Sequence, residues 1–191
     1  MVRARFYIIQ DCMRDLHSCI CGIWPSFFSP FTVLIMAFVI VSSTNILAAP
    51  QPFLVKDINT VDSTGSSPQS LAEVNGITYF SATDGINGTE LWKSNGTEAG
   101  TVLVQDIVTG PDSSDPYYLT NVNGTLFFIA YDPAHGVELW QSSGTGATLV
   151  KDIVTGPDSS NLQNLTNVNG TLFFIATDSA NGTELWKSNG T

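Results

Sequence analysis

Cysteine and positive charge are both scarce in this sequence, and both are concentrated at its start. The three cysteines, Cys12, Cys19 and Cys21, and all three arginines precede residue 22. The sequence from residue 50 onward therefore has no cysteine for a disulfide framework or a cysteine-ligated metal centre. It has four lysines against 15 acidic residues, a net charge of -11. This balance excludes a basic groove for phosphates, so we expect no nucleic-acid partner.

Two further patterns are missing after residue 49. Apolar residues nowhere recur at the 3.6-residue spacing of an amphipathic helix, which argues against a helical body. His135 is the only histidine of this region, and no serine has a histidine and a carboxylate at recurring offsets. A hydrolase triad therefore has no support, and the sequence favours a protein that is not an enzyme.

One long apolar run stands near the start of the chain. Residues 31–41 are apolar apart from Thr32, and a polar stretch and the small residues Ala48 and Ala49 follow them. This order is typical of secretion, so we interpret residues 1–49 as a signal peptide. Residues 31–49 number 19, close to the roughly 20 that span a bilayer, so an uncleaved anchor helix is the alternative. Both interpretations predict a secreted or cell-surface protein that contacts a membrane only through this segment.

Residues 50–191 contain one unit repeated three times. The units cover residues 54–97, 103–145 and 149–191. Each has a Leu-Val-Lys/Gln-Asp-Ile segment, a Val-Asn-Gly segment and a Glu-Leu-Trp segment. The second and third units are identical at 32 of 43 positions. A period of this length indicates a tandem-repeat domain, which leaves little sequence for a separate active domain.

The pattern of the second unit predicts four β-strands. We expect the first at residues 103–108 and the second at 117–122, followed by a two-residue hairpin turn at Asn123-Gly124. Residues 125–131 are rich in aromatic and β-branched side chains without polar alternation, which predicts a third strand buried on both faces. The fourth strand is expected at residues 138–142.

Four short strands per unit are typical of a β-propeller blade. The predicted fold class is therefore all-β, with three tandem four-stranded antiparallel blades that form a partial β-propeller. A β-solenoid is the alternative, although its coils are generally shorter. Because propellers usually close with about 4–8 blades, three blades predict either self-association to close a ring or a truncated gene product without independent function.

The repeat also resembles a known family. The segment from Glu90 to Thr101, ELWKSNGTEAGT, and the Leu-Val-Gln-Asp-Ile that follows are similar to the bacterial ELWxxDGT repeat proteins. Asn95, Ser143 and Asn189 stand where the name motif has aspartate. The resemblance spans all three units and implies a secreted or surface scaffold of propeller-like blades, without a catalytic signature to transfer.

Three tryptophans recur once per unit, two residues after a glutamate: Trp92, Trp140 and Trp186. They could serve as stacking platforms for sugar rings, but aromatic residues repeated once per blade more often belong to the core. Since residues i and i+2 of a strand share a face, the glutamates are expected to accept structural hydrogen bonds in the same interface.

A recurring aspartate raises the question of calcium. Asp84, Asp132 and Asp178 each begin a turn, and carboxylates in loops suit hard cations. No copy has the dense calcium-loop pattern, so turn formation is favoured. Calcium is thus a weak alternative, and we assign no cofactor and no metal ligand.

The second and third units differ at 11 positions, and eight of these form two groups, residues 115–118 and alternate residues from 131 to 137. In an up-and-down blade both groups lie at one end. We call Tyr117, Tyr118, Tyr131 and His135 the variable rim and predict that it binds a carbohydrate or a protein, although drift of exposed loops would give the same pattern. An extracellular glycan hydrolase or lyase with inward-facing carboxylates is the alternative function.

Overall fold

The computed structural model describes residues 51–188, which form an all-β fold. Their strands form three antiparallel sheets, which we call sheets 1, 2 and 3 in chain order. The predicted all-β class with antiparallel, blade-like sheets is confirmed. Because neighbouring strands pair antiparallel within each sheet, the pattern differs from the β-solenoid alternative. The predicted signal peptide or anchor, residues 1–49, lies outside the described residues.

The strands follow one another in space as they do along the chain. Sheet 1 contains β1 (Gln69–Val74), β2 (Ile77–Thr83), β3 (Thr89–Ser94) and β4 (Val102–Gln105). Sheet 2 contains β5 (Tyr117–Val122), β6 (Thr125–Asp132), β7 (Gly136–Ser142) and β8 (Ala147–Lys151). Sheet 3 contains β9 (Gln163–Val168), β10 (Thr171–Asp178) and β11 (Gly182–Ser188).

The sheets are out of phase with the sequence repeat. We predicted residues 103–108 and 138–142 as the first and fourth strands of one blade, and this grouping of strands is wrong. β4 is the last strand of sheet 1, and β7 is the third strand of sheet 2. The physical reason is connection length: residues 143–146 can only join antiparallel neighbours, whereas residues 106–116 are long enough to reach the next sheet. Residues 54–58, the matching segment of the first unit, form no strand.

The predicted Asn-Gly hairpin turn is confirmed in all three sheets. Both residues of each turn have positive φ, which a type I′ turn requires: Asn75-Gly76, Asn123-Gly124 and Asn169-Gly170. The turns also connect the sheets, because Asn75 Nδ2 donates to the carbonyl of Gly124 and Asn123 Nδ2 donates to that of Gly170.

The core lies between neighbouring sheets. Five consecutive residues of β6, Leu126 to Ala130, are completely buried, which confirms the predicted burial on both faces. Phe128 packs with Leu91 of sheet 1, while Phe127 packs with Leu172 of sheet 3. Burying each phenylalanine contributes roughly 1.5–3 kcal/mol, so the middle sheet is held by apolar contacts on both sides.

Candidate functional site

A buried glutamate connects each sheet to the loop that leads into the next sheet. Glu90, at the start of β3, accepts hydrogen bonds from Ser114 N (2.9 Å), Ser114 Oγ (2.5 Å) and Ile107 N (3.1 Å). Glu138 accepts from Ser160 Oγ (2.7 Å) and Ile153 N (3.4 Å). Both side chains are completely buried. The expected role of this glutamate as a structural acceptor is therefore what the structure displays in sheets 1 and 2.

Burial raises the pKa of Glu90 and of Glu138 above the ordinary value of a glutamate, against the opposing effect of their serine and backbone donors. Within the described residues the one ion pair joins His135 and Asp132, so no cation neutralises either glutamate. The two carboxyl groups are therefore ionised less readily in the folded protein than in the unfolded chain.

The serine that precedes each of these partners holds the same junction from the other side. Ser113 Oγ accepts from the N–H of Thr89 (2.8 Å), and Ser159 Oγ accepts from that of Val137 (3.0 Å). The carbonyl of Asp158 lies so close to Gly136 that a Cβ there would sit 2.6 Å from its oxygen. Close approach of the two backbones therefore requires glycine at this position.

The three recurring tryptophans lie in or beside the packing between sheets. Trp92 and Trp140 are buried, so their ring faces are not available for stacking on a sugar. Trp186 is partly buried, donates from Nε1 to the carbonyl of Ala176 (3.2 Å) and stacks on Phe174 at 6.5 Å between ring centroids. These contacts correspond to the core interpretation of the tryptophans.

The structure brings the three rim tyrosines to one end of sheet 2. Tyr117 begins β5 and pairs with Ile129, and Tyr131 lies two residues further along β6. Tyr117, Tyr118 and Tyr131 expose 37%, 48% and 40% of their surface. The rings of Tyr117 and Tyr118 are 5.4 Å apart at an angle of 47°. Burial raises the pKa of the Tyr117 hydroxyl, and the electrostatic effect of Tyr118 adds a smaller increase.

His135 has a local role in the loop between β6 and β7. Its Nδ1 lies 2.8 Å from Asp132 Oδ2, and this hydrogen bond raises the pKa of the imidazole. The equivalent loops of sheets 1 and 3 use an asparagine amide in the same bond, Asn87 to Asp84 and Asn181 to Asp178, each at 2.8 Å. His135 therefore belongs to the rim by position but is already engaged with its own loop.

The recurring aspartates behave as turn residues. Hydrogen bonds from the side chain and backbone of Asn181 lower the pKa of Asp178. For Asp84, burial is the largest single effect and raises the pKa. Hydrogen bonds from Asn87 and Ile86 together outweigh it, so the pKa of Asp84 is also lowered. Across residues 51–188, no group of three or more histidine, cysteine or acidic side chains could hold a metal ion.

A small cleft lies beside Tyr117, where sheet 1 meets sheet 2. Its volume is about 260 Å³, and Ser67, Gln69 and Ser70 of the first unit face Asp115 and Tyr117 of the second across it. The lining combines one aromatic ring with hydroxyl, amide and carboxylate groups. Such a combination offers a ring to stack on and several polar groups to fix orientation, as in sites for small polar ligands.

Tyr118 has an unusual backbone conformation. Its φ is +52°, at a bulge where the register between β5 and β6 shifts. Ser70 and Asn164 occupy the same position in sheets 1 and 3, with φ of +53° and +56°. The bulge is therefore a property of the fold, and asparagine tolerates this region better than a bulky side chain does. Tyrosine is the least suitable of the three residues for this position on backbone grounds.

Sequence reasoning missed two sets of residues. Ser114 and Ser160 were not identified as partners of the glutamates, although the Ser-Ser pair recurs with them in both units. Ser67, Gln69 and Ser70 were missed because the first unit differs from the others in this loop. A search for residues that recur together with the glutamate would have found only the first set.

The described residues thus define a tandem array of antiparallel blade-like sheets, joined by repeated buried hydrogen bonds, with an aromatic rim on the middle sheet. Comparison with models of protein families, with curated proteins and with solved structures found no match. Within the described part of the chain, no helix has the length and apolar character of a membrane span.

Proposed function

We propose that this protein is an exported or cell-surface repeat scaffold, a section of a β-propeller, that binds a carbohydrate without chemically changing it. The ligand site is the variable rim of sheet 2 together with the cleft beside Tyr117. The observation that carries this proposal is Tyr118, an exposed aromatic residue kept in a left-handed conformation next to a second exposed tyrosine.

Backbone strain at Tyr118 supports a role beyond folding. A non-glycine residue in this region costs roughly 1–2 kcal/mol, and strained positions cluster at binding sites. The other two sheets make the same bulge with serine and asparagine. Because the fold does not need tyrosine here, its presence favours a function of the exposed ring.

The contrast between framework and rim supports the same conclusion. The buried glutamate and its serine partner are the same in the first two junctions, as are the Asn-Gly turns of all three sheets. The differences between the second and third units concentrate at the rim instead. A scaffold that keeps its internal contacts and varies one end is typical of binding proteins.

The propeller and export parts of the proposal have separate support. The first strands of neighbouring sheets, β1, β5 and β9, lie side by side, as inner strands of blades around a common axis do. The apolar run at residues 31–41 and the resemblance to the ELWxxDGT repeat proteins favour export.

The chemistry of the rim favours a neutral sugar. Paired tyrosine rings offer apolar faces for the C–H groups of a sugar ring, and Ser67, Gln69 and Asp115 offer hydrogen bonds at the cleft. The net charge of the chain, -10, repels sulfated and uronic glycans.

The test is binding of the full chain to an array of neutral and acidic glycans, followed by titration of the best ligand. We expect Tyr117→Ala and Tyr118→Asn each to weaken binding about tenfold, the equivalent of about 1.4 kcal/mol. Val102→Ala, on the exposed outer strand of sheet 1, serves as the control and should leave binding unchanged. Unchanged binding in both tyrosine variants would overturn the proposal, as would capture of a protein partner through the same tyrosines without any glycan binding.

A further inference from the structure

Sheet 3 has an open edge and an uncovered face. β3 and β7 each pair with a fourth strand, whereas β11 has no such partner among the described residues. Leu185 of β11 exposes 71% of its surface, although its equivalents Leu91 and Leu139 expose 0% and 1%. A groove of about 520 Å³ lies along β8 and β11, and its lining combines apolar residues such as Val150 and Trp186 with polar ones such as Lys151.

The first unit supplies a segment with the sequence of a fourth strand. Residues 54–58 read Leu-Val-Lys-Asp-Ile, as residues 149–153 do, and they form no strand in this structure. Phe53 and Leu54 expose 79% and 78% of their surface. Among residues 51–188, this segment thus has the sequence of a fourth strand but no sheet, and sheet 3 has three strands.

Residues 54–58 already lie where the outer strand of a preceding sheet would lie. Lys56 Nζ donates to the carbonyl of Thr101 (2.9 Å). In the next unit, Gln105 stands at the position of Lys56 and Ala147 at that of Thr101, and Gln105 accepts a hydrogen bond from the N–H of Ala147 (2.8 Å). Ile58 packs against the buried group of Phe80, Ala82 and Trp92 on sheet 1. The segment thus contacts sheet 1 much as β4 contacts sheet 2.

We propose that copies of this chain associate head to tail, with residues 54–58 of one copy pairing with β11 of the next copy. The new contact repeats the two junctions seen within the chain, and its two surfaces differ, so the association is heterologous. It covers the exposed face of sheet 3 with sheet 1 of the neighbouring copy. It does not depend on carbohydrate binding, because the rim lies on the middle sheet.

The register of the new strand follows from the existing pairs. Trp92 pairs with Leu103 and Lys93 with Val102, and sheet 2 repeats this register with Trp140 and Leu149. The same register pairs Trp186 with Leu54 and Lys187 with Phe53.

The buried glutamate gains its missing partners in the same arrangement. Glu184 is exposed in this structure, unlike Glu90 and Glu138. In a neighbouring copy, Ser66 stands at the position of the serine partner Ser114. The two serines make the same backbone hydrogen bond, since the carbonyl of Ser66 accepts from Thr83 N and that of Ser114 accepts from Tyr131 N. In the assembly, Glu184 accepts from Ile58 N and Ser66 Oγ of the next copy.

The first experiment is sedimentation of the full chain, with Cys12, Cys19 and Cys21 changed to serine, over a wide range of concentrations. We expect concentration-dependent oligomers that Leu185→Asp weakens about tenfold or more, since it places a charge in the apolar contact. Thr148→Asp adds the same charge to the exposed outer strand of sheet 2 and should have no effect. Because Leu185 is exposed in the single chain, its variant is expected to fold.

The second experiment tests the register. With Cys12, Cys19 and Cys21 again changed to serine, a Phe53→Cys chain is mixed with a Lys187→Cys chain and oxidised. We expect a disulfide that links the two chains. Lys93→Cys is the matched control, because the edge of β3 is already occupied by β4, and it should not cross-link to Phe53→Cys. A monomer at all concentrations, oligomers insensitive to Leu185→Asp, or equal cross-linking in the control would each overturn the proposal. Tyr117→Ala should leave both measurements unchanged, which separates this test from that of glycan binding.

Discussion

At the scale of single residues, Tyr118 links backbone energetics to the proposed binding. Its φ is +52°, and Asn164, in the same bulge of sheet 3, has a φ of +56°. We expect Tyr118→Asn to raise the free energy of unfolding by about 1 kcal/mol, because asparagine is more tolerant of this conformation. Urea unfolding measures the change. Tyr117→Asn, at a neighbour without positive φ, should give no such gain, and a loss of stability in Tyr118→Asn would contradict the strain argument.

Glu138 makes stability depend on pH in a direction opposite to the usual one for a carboxylate. Its pKa is raised by burial, so the folded protein binds this proton more tightly than the unfolded chain does. We expect the free energy of unfolding to increase as pH falls from neutral through the raised pKa, and to level off below the ordinary glutamate value of about 4.3. Denaturant unfolding at several pH values measures this dependence, which should be smaller in Glu138→Gln and unchanged in the exposed control Glu98→Gln.

Glu90 offers a comparison that separates charge from hydrogen bonding. Both of its oxygens accept hydrogen bonds, whereas Oε1 of Glu138 has no partner. A glutamine at position 138 can keep its side-chain oxygen as the acceptor for Ser160 Oγ. At position 90, the amide nitrogen of glutamine replaces one of two oxygens that both accept hydrogen bonds from Ser114. At neutral pH we therefore expect Glu90→Gln to be less stable than Glu138→Gln by about 1–3 kcal/mol. Equal stability of the two variants would show that the extra acceptor contact has little weight.

At the scale of strands and loops, connection length and pairing partner determine structure more than local sequence does. The Asn-Gly turns and the buried strand β6 were predictable, because each depends on a few adjacent residues. The strand at which each sheet begins was not, because a tandem repeat has the same period wherever its unit is taken to begin. Leu-Val-Lys-Asp-Ile shows the limit: residues 149–151 belong to β8, where β7 supplies hydrogen bonds, and residues 54–56 form no strand without such a neighbour.

The same distinction applies to the candidate site. The rim residues Tyr117, Tyr118 and Tyr131 were found because they differ between two otherwise similar units. The opposite wall of the cleft, which includes Ser67 and Gln69, depends on the packing of sheet 1 against sheet 2 and has no local signal in the sequence. The role of the glutamates could be inferred from their face of the strand, but their partners lie 22 and 24 residues away.

Gly136 and Gly182 test how closely a loop approaches the neighbouring sheet. Both have positive φ, +67° and +75°, but only Gly136 has a carbonyl, that of Asp158, where a Cβ would lie. We expect Gly182→Ala to show the cost of backbone conformation alone, roughly 1–2 kcal/mol. Gly136→Ala should lose about 1–3 kcal/mol more, since backbone atoms cannot move aside as a side chain can. Thermal and urea unfolding compare the two in dilute solution, and equal losses would contradict the close approach.

At the scale of the whole molecule, the junctions between sheets form a repeated interface with one departure. Two asparagines donate from Nδ2 to a backbone carbonyl of the preceding sheet. Asn121 donates to the carbonyl of Glu73, and Asn167 donates to the carbonyl of Asn121. Each also accepts from the glycine of its own turn through Oδ1. Glu73, at the same position of sheet 1, accepts from Gly76 N but has no hydrogen to donate. In a head-to-tail assembly, this junction therefore lacks one hydrogen bond that the internal junctions have.

Glu73→Asn restores that donor and should strengthen association of the chain with itself. One additional hydrogen bond contributes about 0.5–1.5 kcal/mol, which corresponds to a dissociation constant between about two and tenfold lower. Sedimentation of the variant over a range of concentrations measures the change. Glu73→Ala removes the same charge without adding a donor, so it should strengthen association less than Glu73→Asn does. If both variants associate like the parent chain, the neighbouring copy does not contact sheet 1 at this turn, and the head-to-tail geometry derived from the internal junctions is wrong.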